Sequence, residues 1–176
     1  MKKAMLYGFY VLLGLFLAFV AIGYALPDKA HVERQAVINA PAEKIYAIIS
    51  DLQRNQEWSP WLAVDPAIKV TFEGAGPGVG QKLIWESTNP QVGSGSQTTA
   101  ELIANEKVVS ALDFEGSKAV ATLQLAPEGT ATKVTWAFDA ALGGLLERWF
   151  GLLFDGWIGP DYEKGLAALK ALAEKA

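Results

Sequence analysis

The chain has 176 residues, 51% of them hydrophobic, and a formal net charge of −4, which allows one domain of ordinary size plus a short extra segment. Setting aside Lys2 and Lys3 makes the remainder more acidic still, and a nucleic-acid binder needs a basic face to neutralise phosphates. There is no cysteine, so disulfides, thiolate metal sites and cysteine nucleophiles are excluded.

Met5 to Leu26 carries no charged residue and, at about 1.5 Å per residue, spans about 33 Å as a helix, enough for a bilayer core. Lys2 and Lys3 precede it, and Asp28 and Lys29 follow it. The positive-inside tendency then places the N-terminus in the cytoplasm and the rest of the chain outside, in a periplasmic or other extracytoplasmic space. Tyr7, Tyr10 and Tyr24 lie near the two ends, where amphipathic rings favour the interface. Gly23 and Ala25 also have the spacing of a signal-peptide cleavage site after Ala25, but the apolar run exceeds the usual core of about 7–15 residues. The expected organisation is an anchor and linker over residues 1–29 and a folded domain over 30–176.

His31 to Ile38 alternates as a strand, with Val32, Arg34, Ala36 and Ile38 on one face. Asn39-Ala40-Pro41 stops it, and proline is welcome at a first helical position. Ile45, Ile48, Ile49 and Leu52 then mark an amphipathic helix over 42–52, followed by a short helix or turn over 54–61. Strand-like runs follow at 68–72, 79–87, 97–103, 107–114, 118–125 and 133–139, joined by turns rich in Gly, Pro and Asn. Leu142 to Ala176 reads as a long helix with a bend near Gly156–Pro160. The order predicts an α+β fold: a curved antiparallel sheet wrapped around a C-terminal helix, with space for a ligand between them.

Several strings carry a resemblance. They are Val37-Ile38-Asn39-Ala40-Pro41-Ala42-Glu43-Lys44-Ile45-Tyr46, Trp58-Ser59-Pro60-Trp61, Gly78-Val79-Gly80 before Trp85, Val134-Thr135-Trp136, and Gly165-Leu166-Ala167-Ala168-Leu169-Lys170. As an ordered set they resemble the SRPBCC superfamily, the START-related polyketide cyclase/dehydrase-like proteins of helix-grip fold, and in particular a membrane-anchored member. The resemblance covers about residues 30 to 176. It implies a cavity for a hydrophobic small molecule or lipid and fixes no reaction, because such members include carriers, receptors and cyclases.

The candidate site residues are mostly aromatic. Trp58 and Trp61 flank Pro60 off any regular alternation and are expected at the cavity mouth; Trp85 and Trp136 lie on strands; Trp149 lies in the aromatic stretch of the C-terminal helix with Phe150, Phe154 and Trp157. Arg148 and Asp155 are two helical turns apart. Facing inward, Arg148 would hold a ligand carboxylate or phosphate, and Asp155 would be a buried acid of raised pKa; facing outward, both are solvent charges. His31, the single histidine, is expected to be exposed beside the membrane. Glycines 74–80 open no helix and read as a turn rather than a phosphate loop. No residue is assigned as catalytic, and no metal or cofactor is expected. The leading reading is therefore a membrane-anchored binder or carrier of an apolar molecule. The alternatives are a cyclase, dehydratase or hydrolase acting on a hydrophobic substrate, and an envelope interaction module with a filled cavity.

Overall fold

The computed structural model describes residues 2–175. Helix α1 (Lys2–Ala25) is the apolar N-terminal segment, with a mean hydropathy of 2.4 over Met5–Ala25. After a short linker, β1 (Lys29–Ile38) begins the folded domain. Helix α2 (Ala42–Ile49) starts where expected, the carbonyl of Pro41 accepting from the N–H groups of Lys44 and Ile45, and it buries Ile45, Ile48 and Ile49. The single amphipathic helix expected over 42–52 ends at Ser50 instead. Asp51 there caps a 3₁₀ helix (Leu52–Glu57), its carboxylate accepting from the Gln53 N–H. Helix α3 (Pro60–Val64) follows, with proline in its first turn.

The strands are β2 (Lys69–Glu73), β3 (Lys82–Glu86), β4 (Gly95–Ile103), β5 (Lys107–Phe114), β6 (Ser117–Glu128) and β7 (Ala131–Ala141). They form one seven-stranded sheet in the order β1-β7-β6-β5-β4-β3-β2, every pairing antiparallel. The connection over α2 and α3 thus carries the chain from one sheet edge to the other. The β5–β6 hairpin is tighter than its composition suggests. Glu115 and Gly116 form a two-residue loop with φ of 53° and 108°, the backbone of a turn that matches the sheet's twist. β4 carries a bulge between Thr99 and Glu101 that bends the sheet.

The C-terminal region is two helices rather than one bent helix. Helix α4 (Leu145–Gly151) begins where the Glu147 carboxylate reaches back to the Gly144 N–H, and it stops short of α5 (Phe154–Ala173). The break falls at Leu152–Leu153, before the glycines where a bend was expected; Pro160 lies within α5. Helix α5 buries Tyr162, Leu166, Leu169 and Ala173 against the inward side chains of β1, β6 and β7, including Val32, Val134, Trp136 and Leu123. This is the helix-grip arrangement.

Close approach of α5 to the sheet depends on Gly165, where a Cβ would stand 2.6 Å from the Trp136 ring. Trp136 cannot yield easily, because it is packed between Tyr162 and Trp58. We therefore expect Gly165→Ala to lower stability by about 1–3 kcal/mol through overpacking, despite alanine's better helix propensity. Gly156, in the same helix with open space around its Cβ position, should gain up to about 1 kcal/mol on change to alanine. Thermal unfolding of the full chain in detergent distinguishes the two.

Candidate functional site

The C-terminal half of helix α5 is buried against the sheet, while its N-terminal half borders open space on the sheet's inner side. Between helix and sheet lies an open cavity of about 400 Å³. Its walls are Trp61 and Leu62 of α3, Leu83 and Trp85 of β3, Leu112 and Phe114 of β5, Phe138 of β7, and Phe154, Trp157, Ile158 and Tyr162 of α5, with Gln91 and Val92 from the β3–β4 loop. Gly95 makes room for Trp85: a Cβ there would stand 2.7 Å from the ring, which instead lies edge-on to Phe114 at 5.8 Å.

A smaller recess of about 60 Å³ shares Asn55, Ser59, Trp61, Gln97, Leu112 and Tyr162 with the main cavity. It is the polar part of the site. Asn55 donates to Gln97 at 3.2 Å, and Gln97 donates to the Ser110 hydroxyl at 3.0 Å. Trp58 borders the same recess, and its indole N–H is buried with no hydrogen-bond partner among the described residues. Burial pushes the Tyr162 phenol up from its ordinary pKa, so it stays protonated. Among the described residues, no Asp, Glu, His, Lys or Arg lines either space. Among the described residues, no three His, Asp or Glu side chains gather as metal ligands. The recess can therefore donate hydrogen bonds to a ligand oxygen.

The expected site residues divide into three groups. Trp61 and Trp85 line the cavity. Trp58 and Trp136 belong to the core and touch only the inner recess. Trp58, expected at the mouth, is 5% exposed and packs edge-on to Trp136 at 5.1 Å; its position between two short helices turns it inward. Arg148, Trp149 and Asp155 lie outside the cavity. The break between α4 and α5 removes the continuous helix on which Arg148 and Asp155 would have shared a face. Arg148 instead donates to the backbone carbonyls of Tyr24 and Leu26 at 2.9 and 3.2 Å, and Trp149 stacks on Phe19 of α1.

Asp155 is an exposed partner of Arg34, not a buried acid. Arg34 reaches from β1 across α5 at Gly159, where any Cβ would strike its guanidinium. It donates to Asp155 at 2.8 and 3.1 Å and to Glu163 at 2.8 Å. The hydrogen bonds from Arg34 hold the Asp155 carboxyl below its ordinary pKa, the reverse of the raised value expected for a buried acid. His31 is exposed and bonds Asp139 at 2.7 Å, away from the cavity.

Phe154 and Trp157, named with the aromatic stretch, line the cavity, while sequence reasoning passed over Phe138, Tyr162 and the amides Asn55 and Gln97 as site residues. Tyr162 shares a stripe with Leu166 and Leu169, and Phe138 alternates with Trp136, so their inward direction was readable. That they border open space was not.

Residues 29–174 match the family described as polyketide cyclase / dehydrase and lipid transport. The chain belongs to this family. Solved structures of the same fold include a Chromobacterium violaceum protein, 15% identical with a TM-score of 0.62 over 84% of this chain and 99% of that one. KanY is 18% identical with a TM-score of 0.63, over 84% of this chain and 99% of its own. The di-domain ARO/CYC StfQ from the steffimycin biosynthetic pathway is 12% identical with a TM-score of 0.63, covering 83% of this chain and 51% of StfQ. No curated protein matches. At these identities the structural likeness speaks for the fold of this polyketide cyclase/dehydrase family member and not for its ligand.

The Arg34 strap makes a pH prediction. A carboxyl with a depressed folded pKa contributes stability above its unfolded value, near 3.8 for Asp155, and loses it as pH falls through the folded value. The N-terminal turns of α5 should therefore loosen below about pH 4. Limited proteolysis at acid pH should cut near residues 152–158, and Asp155→Asn should bring the same cuts at neutral pH.

Proposed function

We propose that the chain is a membrane-anchored binder or carrier of a hydrophobic small molecule or lipid. In this reading α1 holds the protein in the membrane, the domain of residues 30–176 lies on the extracytoplasmic side, and the cavity holds the ligand. The observation that carries the proposal is the cavity itself, open, about 400 Å³ in volume and walled mainly by aromatic and aliphatic side chains, with no Asp, Glu, His, Lys or Arg among the described residues that line it. Such a wall suits an apolar body. The recess at Asn55, Gln97, Ser110 and Trp58 suits one oxygen-bearing end of that body, since a buried donor without a partner costs about 1–3 kcal/mol and a ligand oxygen removes that cost.

Retention of α1 as an anchor, rather than its loss as a signal peptide, is supported by its packing. Gly23 is buried against Leu145 and Trp149, and Arg148 holds the carbonyls of Tyr24 and Leu26. Cleavage after Ala25 would strip these partners from α4. The enzyme reading based on Arg148 and Asp155 loses its support, because neither residue reaches the cavity.

Native mass spectrometry of the full chain released from detergent, followed by lipid extraction, should show a stoichiometric apolar adduct. Leu112→Trp, which fills the space between main cavity and recess, should lower occupancy about ten-fold or more, equivalent to ~1.4 kcal/mol. A clean unliganded mass, together with no thermal shift across a lipid panel, would sink the carrier reading.

A further inference from the structure

The anchor helix does not leave the domain as a free tether. Its last turns pack on α4: the rings of Phe19 and Trp149 stack with centroids 5.0 Å apart and planes 4° from parallel. Gly23 lies beneath Leu145 and Trp149. The Arg148 guanidinium stands 5.7 Å from the centre of the Tyr24 ring while binding the end carbonyls of the helix. Phe19 lies six residues before Ala25, the end of α1, or about 9 Å back along the axis. If Met5–Ala25 crosses a bilayer, a group stacked on Phe19 cannot be in bulk water. Helix α4 is then held at the depth of the lipid interface.

The surface of α4 suits that position. Leu146, Phe150, Leu152, Leu153 and Trp157 are between 47% and 60% exposed. They form an unpartnered apolar strip on the short helix and the turn that follows. Tryptophan and leucine beside a capped arginine are the side chains that favour the interfacial layer.

The cavity lining reaches the same end of the domain. In the sheet register Lys29, just after the anchor, pairs with Ala141, Ala140 with Ala119, and Lys118 with Asp113. The β5–β6 turn, with the cavity residues Phe114 and Ser117, is therefore level with the start of β1. The exposed strip also runs on into the cavity wall: Phe150 lies 6.4 Å and Phe154 lies 6.1 Å from Trp157, and Phe154 and Trp157 both line the cavity.

We propose that α4 and the turn into α5 lie in the interfacial layer of the bilayer that α1 crosses. There Phe154 and Trp157 form a gate that opens the cavity to the acyl layer. The partner is the lipid surface itself, and a ligand passes between membrane and cavity without crossing water. The proposal rests on the membrane-anchored reading above and adds the direction in which the cavity opens.

The absence of native cysteine makes a clean test available. Single cysteines at Leu13, Leu146, Leu153, Trp157 and Thr130 of the full chain are labelled with an environment-sensitive fluorophore. The variants are reconstituted into phosphatidylcholine vesicles containing lipids brominated on the acyl chain, and circular dichroism checks that each is folded. Thr130 lies at the opposite end of the sheet, beside the pairing of Ile38 with Thr132, about 30 Å away at strand rise. The expected result is quenching at Leu13, Leu146, Leu153 and Trp157 and none at Thr130. Quenching at Leu13 with none at Leu146 and Leu153 would leave the anchor intact and overturn the interfacial seat of α4. Quenching at Leu146 and Leu153 with none at Trp157 would overturn the gate. No quenching at Leu13 would overturn the anchored reading, and the gate with it.

Discussion

The stack of Tyr162 on Trp136, 3.9 Å between centroids and 11° from parallel, sets how far α5 stands from the sheet, and the cavity follows from it. Below the stack, Gly165, Leu166 and Leu169 allow helix and strands to close into a dry core. Above it, Phe154 still meets Phe138 edge-on at 6.1 Å, and Phe154, Trp157 and Ile158 line the open space together with Phe138 and Leu112. The cavity lies beside the N-terminal half of the helix, where the packing leaves a gap. Interiors pack too densely for such a gap to be an accident of loose side chains.

The N-terminal half of α5, packed on the core through Phe154 and Ile158, is tied from outside by polar links as well. Arg34 supplies one, lying over Gly159 between Asp155 and Glu163, which stand on one stripe of the helix. Exposed pairs contribute little stability individually. A bidentate arginine that bridges strand and helix does more for geometry than for energy, since it limits where the free end of α5 can go. Gln81 serves the opposite wall. Its buried amide accepts from the Leu52 N–H at 2.9 Å and donates to Asp51 at 2.8 Å, fastening the 3₁₀ helix to the start of β3. The cavity is thus framed by polar links behind its walls while its own surface stays mainly apolar.

The chemistry of the space limits what it does. A family that includes cyclases and dehydrases uses one fold for several tasks, and the task depends on the side chains that reach the ligand. Here the inner end offers amides, a serine hydroxyl, an indole N–H and a phenol held in its neutral form. These groups can hydrogen-bond an oxygen. Such a surface suits the binding role proposed for it.

Periodicity and punctuation in the sequence were enough for the element order, the α+β class, the anchor-like helix and the inward direction of Val134, Trp136, Phe138, Leu166 and Leu169, because alternation and helical spacing are local properties set by backbone geometry. The ordered strings carried the family. The roles of Arg148, Trp149 and Asp155 were not legible, because they depend on a helix break at Leu152–Leu153 and on partners far away in the chain: Phe19, Tyr24, Leu26 and Arg34. Trp58 turned inward for the same reason, its direction set by the packing of two short helices and not by any repeat. Burial is a property of pattern and can be read along the chain. Emptiness, and which charge meets which, arises only when distant segments are brought together, so the cavity, its polar recess and its place beside the anchor were decided by the tertiary structure.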